Sequence, residues 1–306
     1  MPSPGTARPI IIDTDPGIDD ALAILLALAS PELDLRALVS VAGNVRLELT
    51  TQNALKLREL GKRPGLPVYA GSARPIARDL RTGSVHGTTG MDGADLPAPR
   101  GKAEPRNGVD WMVETLSAAA PKSQTLLPIG PLTNIAAAFQ RAPGIGKALR
   151  EVVIMGGATQ AIGGNVSPHA EFNIHVDPEA ADFVFGLGLP VTLVPLDLSY
   201  QMLVTMERIA RFAAIPGPIG KAVAGMLRFY HDGDDHLHDP LTVAWLLKPE
   251  LFSGRRAAIR VETRGQRDGE TVFDWRDDGP CNVLLHGDHM AFFDFLVGRL
   301  ETLSRG

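Results

Sequence analysis

Four carboxylates, Asp13, Asp15, Asp19 and Asp20, fall within eight residues in the run Pro9-Ile-Ile-Ile-Asp-Thr-Asp-Pro-Gly-Ile-Asp-Asp-Ala21. Like charges that close raise one another's pKa values and destabilise a fold unless something compensates them. A hard divalent cation resolves the conflict, because it takes several carboxylate oxygens at once. A carboxylate beside such a cation is also placed to act as a general base. One Asp before a helix is ordinarily a cap, but four on one turn exceed what capping uses. An EF-hand loop starting at Asp13 fails, since its sixth position is Ile18 and its twelfth is Ile24, where Gly and Glu are needed. The site has to be completed by residues distant in sequence.

Candidates for that completion are scattered. His86-Gly87 lies in a Gly-, Pro- and Arg-rich stretch, residues 71–107, that has the length of a lid or binding loop. A lone His there reads either as a surface residue or as an imidazole that reaches the acidic turn. Asn44 and Asn165 follow glycines and read as turn formers or ligand contacts; Asn134, at a helix start, reads as a structural cap. Glu171 and Asn173, two apart on a segment read as extended, would face one side and share a ligand. His238-Asp239-Pro240 is a helix start by itself and a catalytic pair if it meets the acidic turn. Phe172 reads equally as packing or as a base-stacking wall, whereas Met155 reads first as core, although it ends a strand at the proposed pocket.

These residues need elements that gather them. Ile10-Ile11-Ile12 is a short β-branched run, hence a buried strand, and Pro16-Gly17 ends it. Asp19 and Asp20 then open a helix at the positive end of its dipole. Residues 33–42 and 66–70 read as further strands, with a helix at about 50–60 between them. That β-α-β-α-β rhythm specifies a parallel sheet with right-handed crossovers. Strands are also expected at 124–128, 151–155 and 190–196, and helices at 108–119, up to Arg141, and from Pro178. Residues 205–247 read as mainly helical, broken at 232–240. Strands at 257–263, 271–275 and 281–285 read as antiparallel, closed by an amphipathic helix at 288–303. The expectation is one α/β domain over residues 1–306: a mostly parallel, Rossmann-like central sheet flanked by helices, with a small antiparallel C-terminal extension. Loops after the strands of such a sheet meet at one edge, where ligands bind. The acidic turn, Asn44, and the loops after Pro128 and Met155 belong there.

Composition narrows the classes. The chain has 306 residues, 44% of them hydrophobic, enough for one large α/β domain or two small ones. A net charge of -5 leaves no basic footprint for a nucleic-acid polymer. Cys281, alone, forms no internal disulfide, which suits a reducing compartment. No apolar run reaches the about 18 residues that cross a bilayer, and the first eight residues have no signal core. A cytoplasmic protein without a membrane partner is expected.

In order along the chain, Asp13-Thr-Asp-Pro-Gly-Ile-Asp-Asp20, Gly43-Asn44, His86-Gly87, Gly130-Pro-Leu-Thr-Asn134, Met155-Gly-Gly157, Asn165, Glu171-Phe-Asn173 and His238-Asp-Pro240 resemble the inosine-uridine preferring nucleoside hydrolases. The resemblance implies hydrolysis of the N-glycosidic bond of a ribonucleoside to free base and ribose. It implies one calcium ion per subunit, held by Asp15, Asp20, Asp239 and a backbone carbonyl near Ile129, with Asp19 taking a proton from a metal-bound water. Asn44, Asn165, Glu171 and Asn173 are implied to hold the ribose, and His238, or His86 in some members, to meet the leaving base. A homodimer or homotetramer is implied as well. Met155 and Phe172 are the further substrate contacts expected. One aromatic of Phe229-Tyr230-His231, taken as Tyr230, would stack on the nucleobase. Purine-specific relatives are expected to place tryptophans around the base; here Trp111, Trp245 and Trp275 fall outside the pocket loops and His86 inside one, so the resemblance implies a pyrimidine or broad-specificity pocket.

The chemistry suits these residue types. Cleavage passes through an oxocarbenium-like ribosyl cation, which carboxylates and amides around the sugar stabilise. An imidazole titrating near pH 6.5 can protonate the departing base. Two other classes compete. A metal-dependent phosphohydrolase also places Asp-x-Asp after a strand, but leaves Glu171, Asn173 and His238-Asp239 without work. A non-catalytic nucleoside-binding protein would keep the pocket but has no use for Asp19 beside intact metal ligands.

Overall fold

The computed structural model describes residues 7–306. Its strands are β1 (Arg8–Thr14), β2 (Leu33–Ser40), β3 (Val68–Ala70), β4 (Gln124–Pro128), β5 (Leu149–Met155), β6 (Val191–Val194), β7 (Phe252–Val261), β8 (Thr271–Trp275) and β9 (Cys281–Gly287). They form one sheet in the order β3-β2-β1-β4-β5-β6-β9-β7-β8. Strands β1 to β6 and β9 run parallel, and β7 is antiparallel to both β8 and β9. The antiparallel C-terminal strands are therefore present, but they prolong the main sheet: β9 pairs with β6 and carries the other two outward.

Period-two alternation builds the two layers of core. Ile10 and Ile12 of β1 pack with the helices Ile18–Leu28, Gly217–Tyr230 and His289–Arg305 on one face. Ile11 packs with Gly108–Ala118, Thr133–Arg141 and Pro178–Phe185 on the other. A strand buried on both faces reads as continuous hydrophobics, as β1 does. The helix Ile18–Leu28 is apolar and buried on nearly all sides, and it packs against the Pro240–Leu247 helix. Its first-turn carboxylates are consequently buried instead of solvated.

The order of strands positions the site. The chain leaves β1 towards β2 on one side, while β4 flanks β1 on the other. This is a topological switch point, where the carboxyl ends of the strands leave a crevice. Residues 71–107 contain no named helix or strand and carry His86 over that crevice. The Asn53 amide fastens the segment by donating to the carbonyls of Pro16 and Thr89. Two boundaries fall earlier than expected: the second helix begins at Leu47 and β7 at Phe252. Among the described residues, no helix is long and apolar enough to cross a membrane.

Candidate active site

The acidic turn is a hydrogen-bonded unit. Asp20, third residue of its helix, accepts the Gly17 N–H at 2.9 Å and the Thr14 hydroxyl, closing the first turn as a capping box does. Asp15 Oδ2 accepts the Asn44 N–H at 2.7 Å, and Asn44 Nδ2 donates to the Asp15 carbonyl at 3.1 Å and to Asp20 Oδ2 at 3.2 Å. Gly43 permits this approach, since a Cβ there would lie 2.1 Å from Asp15 Oδ2. Asp239, just before the Pro240–Leu247 helix, completes the cluster from over 200 residues away. One carboxylate oxygen each from Asp19, Asp20 and Asp239 lies within 4.8 Å of the others.

The donor set suits a hard cation. Asp15 Oδ1 and Asp13 Oδ1 are buried without a hydrogen-bond partner. Burial, then the neighbouring carboxylates, push Asp15 and Asp239 well above the usual range, and Asp20 up to about 7. Burial also pushes Asp13 up to about 8, against its hydrogen bond from Asn134. Carboxylates buried together so unfavourably fit an oxygen-liganded divalent ion.

That arrangement sets a pH dependence. A carboxylate whose folded-state pKa is raised holds more protons in the folded chain, so stability falls as pH rises. For metal-free protein, Asp20 at about 7 and Asp13 at about 8 place the loss between about pH 4 and about pH 8. Melting temperatures of chelator-treated protein are expected to fall across that range, and a divalent cation to raise them most at its upper end. A chelated protein that grows more stable with rising pH would contradict this account.

A cavity of about 660 Å³ opens at this edge of the sheet. Every residue expected at the site lines it except Asp15 and Asp20, which are wholly buried behind it. The Ile129 carbonyl accepts Asn173 Nδ2 at 3.1 Å, and the Met155 carbonyl accepts the same amide at 3.2 Å. Asn173 thus ties the end of β4 to the end of β5. Phe172 is half-buried in the wall, and Asn165 sits exposed at the mouth.

Two sequence readings need correction. Glu171 and Asn173 do not share an extended segment, because Phe172–Val176 is helical and Glu171 caps it. The Glu171 carboxylate accepts the N–H groups of Asn173, Ile174 and Gly157 at 2.9, 3.1 and 2.9 Å, which satisfies donors that a helix start leaves open. Asn134 is not a cap. Its Nδ2 donates to Asp13 Oδ2 at 2.8 Å and to the Ser40 carbonyl at 3.1 Å, and its Oδ1 accepts the Ser72 N–H at 2.7 Å. A fully buried amide is held by such a crosslink more completely than by capping one helix. Of the two readings left open for His86, the structure has the one that reaches the acidic turn: the ring is 6% exposed and accepts the Ile18 N–H at the open N-terminus of the Ile18–Leu28 helix.

The surroundings shift the two histidines in opposite directions. His86 Nδ1 accepts the Ile18 N–H at 3.1 Å, so in the neutral ring the proton sits on Nε2, 3.9 Å from Asp19 Oδ1. Burial lowers its pKa, and Tyr230 stacks behind it at 5.2 Å. His238 lies between Ser199 Oγ, 2.8 Å from Nδ1, and Asp234 Oδ2, 3.1 Å from Nε2. Burial opposes its charge, but Asp234, with Asp19 and Glu171 behind it, raises it to about 9. Burial therefore favours the neutral form of His86 near Asp19, whereas Asp234 favours the charged form of His238.

Sequence reasoning assigned no role to Asp234, Ser199 or Tyr200. Asp234 was detectable four residues before His238, in the acidic break of residues 232–240. Ser199 and Tyr200 follow β6 at the same sheet edge as the other loops. The tryptophans lie elsewhere: Trp111 stacks on Tyr69, Trp245 donates to Glu151, and Trp275 stacks on Phe273.

Residues 10–294 match the family model described as inosine-uridine preferring nucleoside hydrolase. The chain is 43% identical to the pyrimidine-specific ribonucleoside hydrolase RihA of Shewanella woodyi, over 97% of this chain and 99% of that one. Among solved structures, the purine-preferring ribonucleoside hydrolase from Gardnerella vaginalis superposes with a TM-score of 0.91 at 33% identity, covering 97% of this chain and 99% of that one. The plant nucleoside hydrolase PpNRh1 gives 0.89 at 33% identity, covering 96% and 98%.

Proposed function

This chain belongs to the inosine-uridine preferring nucleoside hydrolase family, and on that premise we propose a calcium-dependent nucleoside N-ribohydrolase with a pyrimidine-preferring or broad base pocket. The observation that carries the proposal is one cavity in which Asp19 and Asp239, with Asp20 behind them, share the lining with His238, whose ring is held between Ser199 and Asp234. Asp15, Asp20, Asp239 and the Ile129 carbonyl are the ligands proposed for calcium. When bound, the cation lowers the pKa of a water and accepts ribose hydroxyls as ligands.

Asp19 is proposed as the base. Among the described residues no group donates a hydrogen bond to its carboxylate, whereas Asp15 and Asp20 are both held by donors. A carboxylate left free in this way can take the proton of the attacking water. Asn44 and Asn173 use their Nδ2 groups within the protein, so their carbonyl oxygens are the atoms that would orient ribose hydroxyls. Glu171 and Asn165 complete that wall. As the bond from C1′ to the base breaks, its electron pair leaves with the base, and the nearby carboxylates stabilise the positive charge that develops on the sugar. His238 supplies the proton that neutralises the departing base.

The name of the Shewanella relative and the absence of tryptophan from the cavity walls support a pyrimidine base. Tyr230 and His86 form a stacked wall suited to a flat ring. A reducing-sugar assay of calcium-loaded protein on uridine, cytidine, inosine, adenosine and guanosine tests the proposal. Uridine or cytidine is expected to release ribose fastest. Release from purine nucleosides alone would overturn the base preference. No release from any of the five, with calcium bound, would overturn the proposed reaction.

A further inference from the structure

We propose that Arg78 is a positioning residue for substrate: its side chain clamps the segment that roofs the ribose site. The inference rests on the reaction proposed above. Between Arg78 and His86, residues 81–85 line the cavity. Gly83 lies over the sugar end, since a Cβ there would be 3.4 Å from the Phe172 ring and 3.5 Å from Asn44 Oδ1. That oxygen is one of those proposed to orient ribose hydroxyls. Among the described residues, no backbone hydrogen bond holds residues 79–83. Their one side-chain hydrogen bond, from Arg81 Nη1 to His175 Nε2 at 2.9 Å, is exposed to solvent. The position of the roof is therefore set at its two ends.

The His86 end is held by the Ile18 N–H at 3.1 Å and, further on, by Asn53 at the Thr89 carbonyl. The Arg78 end is held by two carboxylates. The guanidinium donates to Glu179 as a fork, from Nε to Oε2 at 2.7 Å and from Nη2 to Oε1 at 2.8 Å. A second fork engages both carboxylate oxygens of Asp268, and Nη2 also reaches the Thr263 carbonyl at 2.7 Å. Glu179 lies in the first turn of the Pro178–Phe185 helix and Asp268 in the connection from β7 to β8. One side chain thus ties the loop to two separate elements of the scaffold. Only 17% of the Arg78 side chain is exposed, so these paired forks escape much of the screening that weakens surface ion pairs. Two residues earlier, the Ile76 N–H donates to Asp177 Oδ2 at 2.8 Å, which fixes the approach to the clamp. Arg78, Glu179 and Asp268 do not line the cavity, so the clamp acts on substrate through the roof alone.

The test separates KM from kcat in the calcium-loaded full chain. Arg78→Met removes both forks and keeps much of the stem. The roof faces the sugar, which it meets in ground state and transition state alike, so kcat should stay nearly unchanged. KM is expected to rise by about 10- to 100-fold, the upper figure being the cost of a misplacement of about 1 Å. The rise should be equal for uridine, cytidine and p-nitrophenyl riboside, because the ribose is what all three share, and calcium affinity should hold. Arg78→Lys keeps the charge but cannot fork two carboxylates, so its KM should fall between the two. Asp268→Asn leaves the Glu179 fork and should shift KM the same way by less; it carries the comparison if Arg78→Met does not fold. Gly83→Ala, whose Cβ would sit at ordinary contact distance from its neighbours, should raise KM by itself. Unchanged KM in Arg78→Met or Gly83→Ala, a rise that differs among the three substrates, or a matching loss of kcat and calcium affinity would overturn the assignment. Trypsin reads the tether without turnover: cleavage after Arg81 should be faster in Arg78→Met than in wild type, and equal rates would overturn the clamp. Wild-type protein inactive on every nucleoside would instead overturn the proposed reaction, while the trypsin comparison still decides the clamp.

Discussion

Asp19→Asn is expected to lower kcat on every nucleoside substrate by about 10²- to 10⁴-fold, the range that a lost general base costs. The amide has the size and shape of the carboxylate, so the packing of a residue only 5% exposed should survive. What it loses is the ability to take a proton. No protein donor among the described residues holds Asp19, so the substitution strands no buried partner. KM should change little, because the sugar wall and the His238 side are untouched. Calcium titration decides the residual ambiguity, since Asp19 offers an oxygen within 4.8 Å of those of Asp20 and Asp239. Retained calcium affinity with turnover gone identifies the base. Calcium affinity lost in parallel with activity would make Asp19 a ligand, and undiminished turnover would remove it from the mechanism.

The second large effect is at Asp239. Asp239→Ala removes one of the carboxylates proposed to hold the cation, so calcium affinity and activity are expected to fall together. The loss should exceed the about 10- to 100-fold seen when only an outer partner of a metal site is removed. Stability should move the other way in metal-free protein. Asp239 is pushed well above the usual carboxylate range by burial and then by Asp19 and Asp20, so the cluster is repulsive without a cation. Deleting one buried, uncompensated charge relieves that repulsion. The chelated variant is expected to melt at or above the chelated wild type, and added calcium should no longer raise its melting temperature. Calorimetry that found calcium affinity unchanged in Asp239→Ala would sink the ligand assignment.

Much of the scaffold was legible because its signals are local. The isoleucine run of β1, the Pro-Gly turn and the acidic first turn of the next helix are each set by a few adjacent residues, and the structure has them where the pattern put them. A mostly parallel sheet flanked by helices could be anticipated from the alternation of elements alone. The position of β9 was less accessible. Its pairing with β6 on one side and β7 on the other depends on which edge the returning chain reaches, and no local periodicity encodes that.

At the site, residue type and spacing by themselves determined which groups could do chemistry: an excess of carboxylate on one turn, a distant His-Asp pair, and amides beside glycines. The tertiary structure decided how each one is engaged. Asn134 became a crosslink to Asp13 because the ends of β1 and β2 bury their polar groups together. Glu171 became a cap because three backbone N–H groups converge on it. His86 was drawn to an open helix terminus, and His238 was set between Ser199 and Asp234. The physical reason is range. Backbone propensity and charge density act over a turn or two of chain, whereas hydrogen-bond partners and the protonation states they impose depend on groups that only the packed sheet brings within about 3 Å.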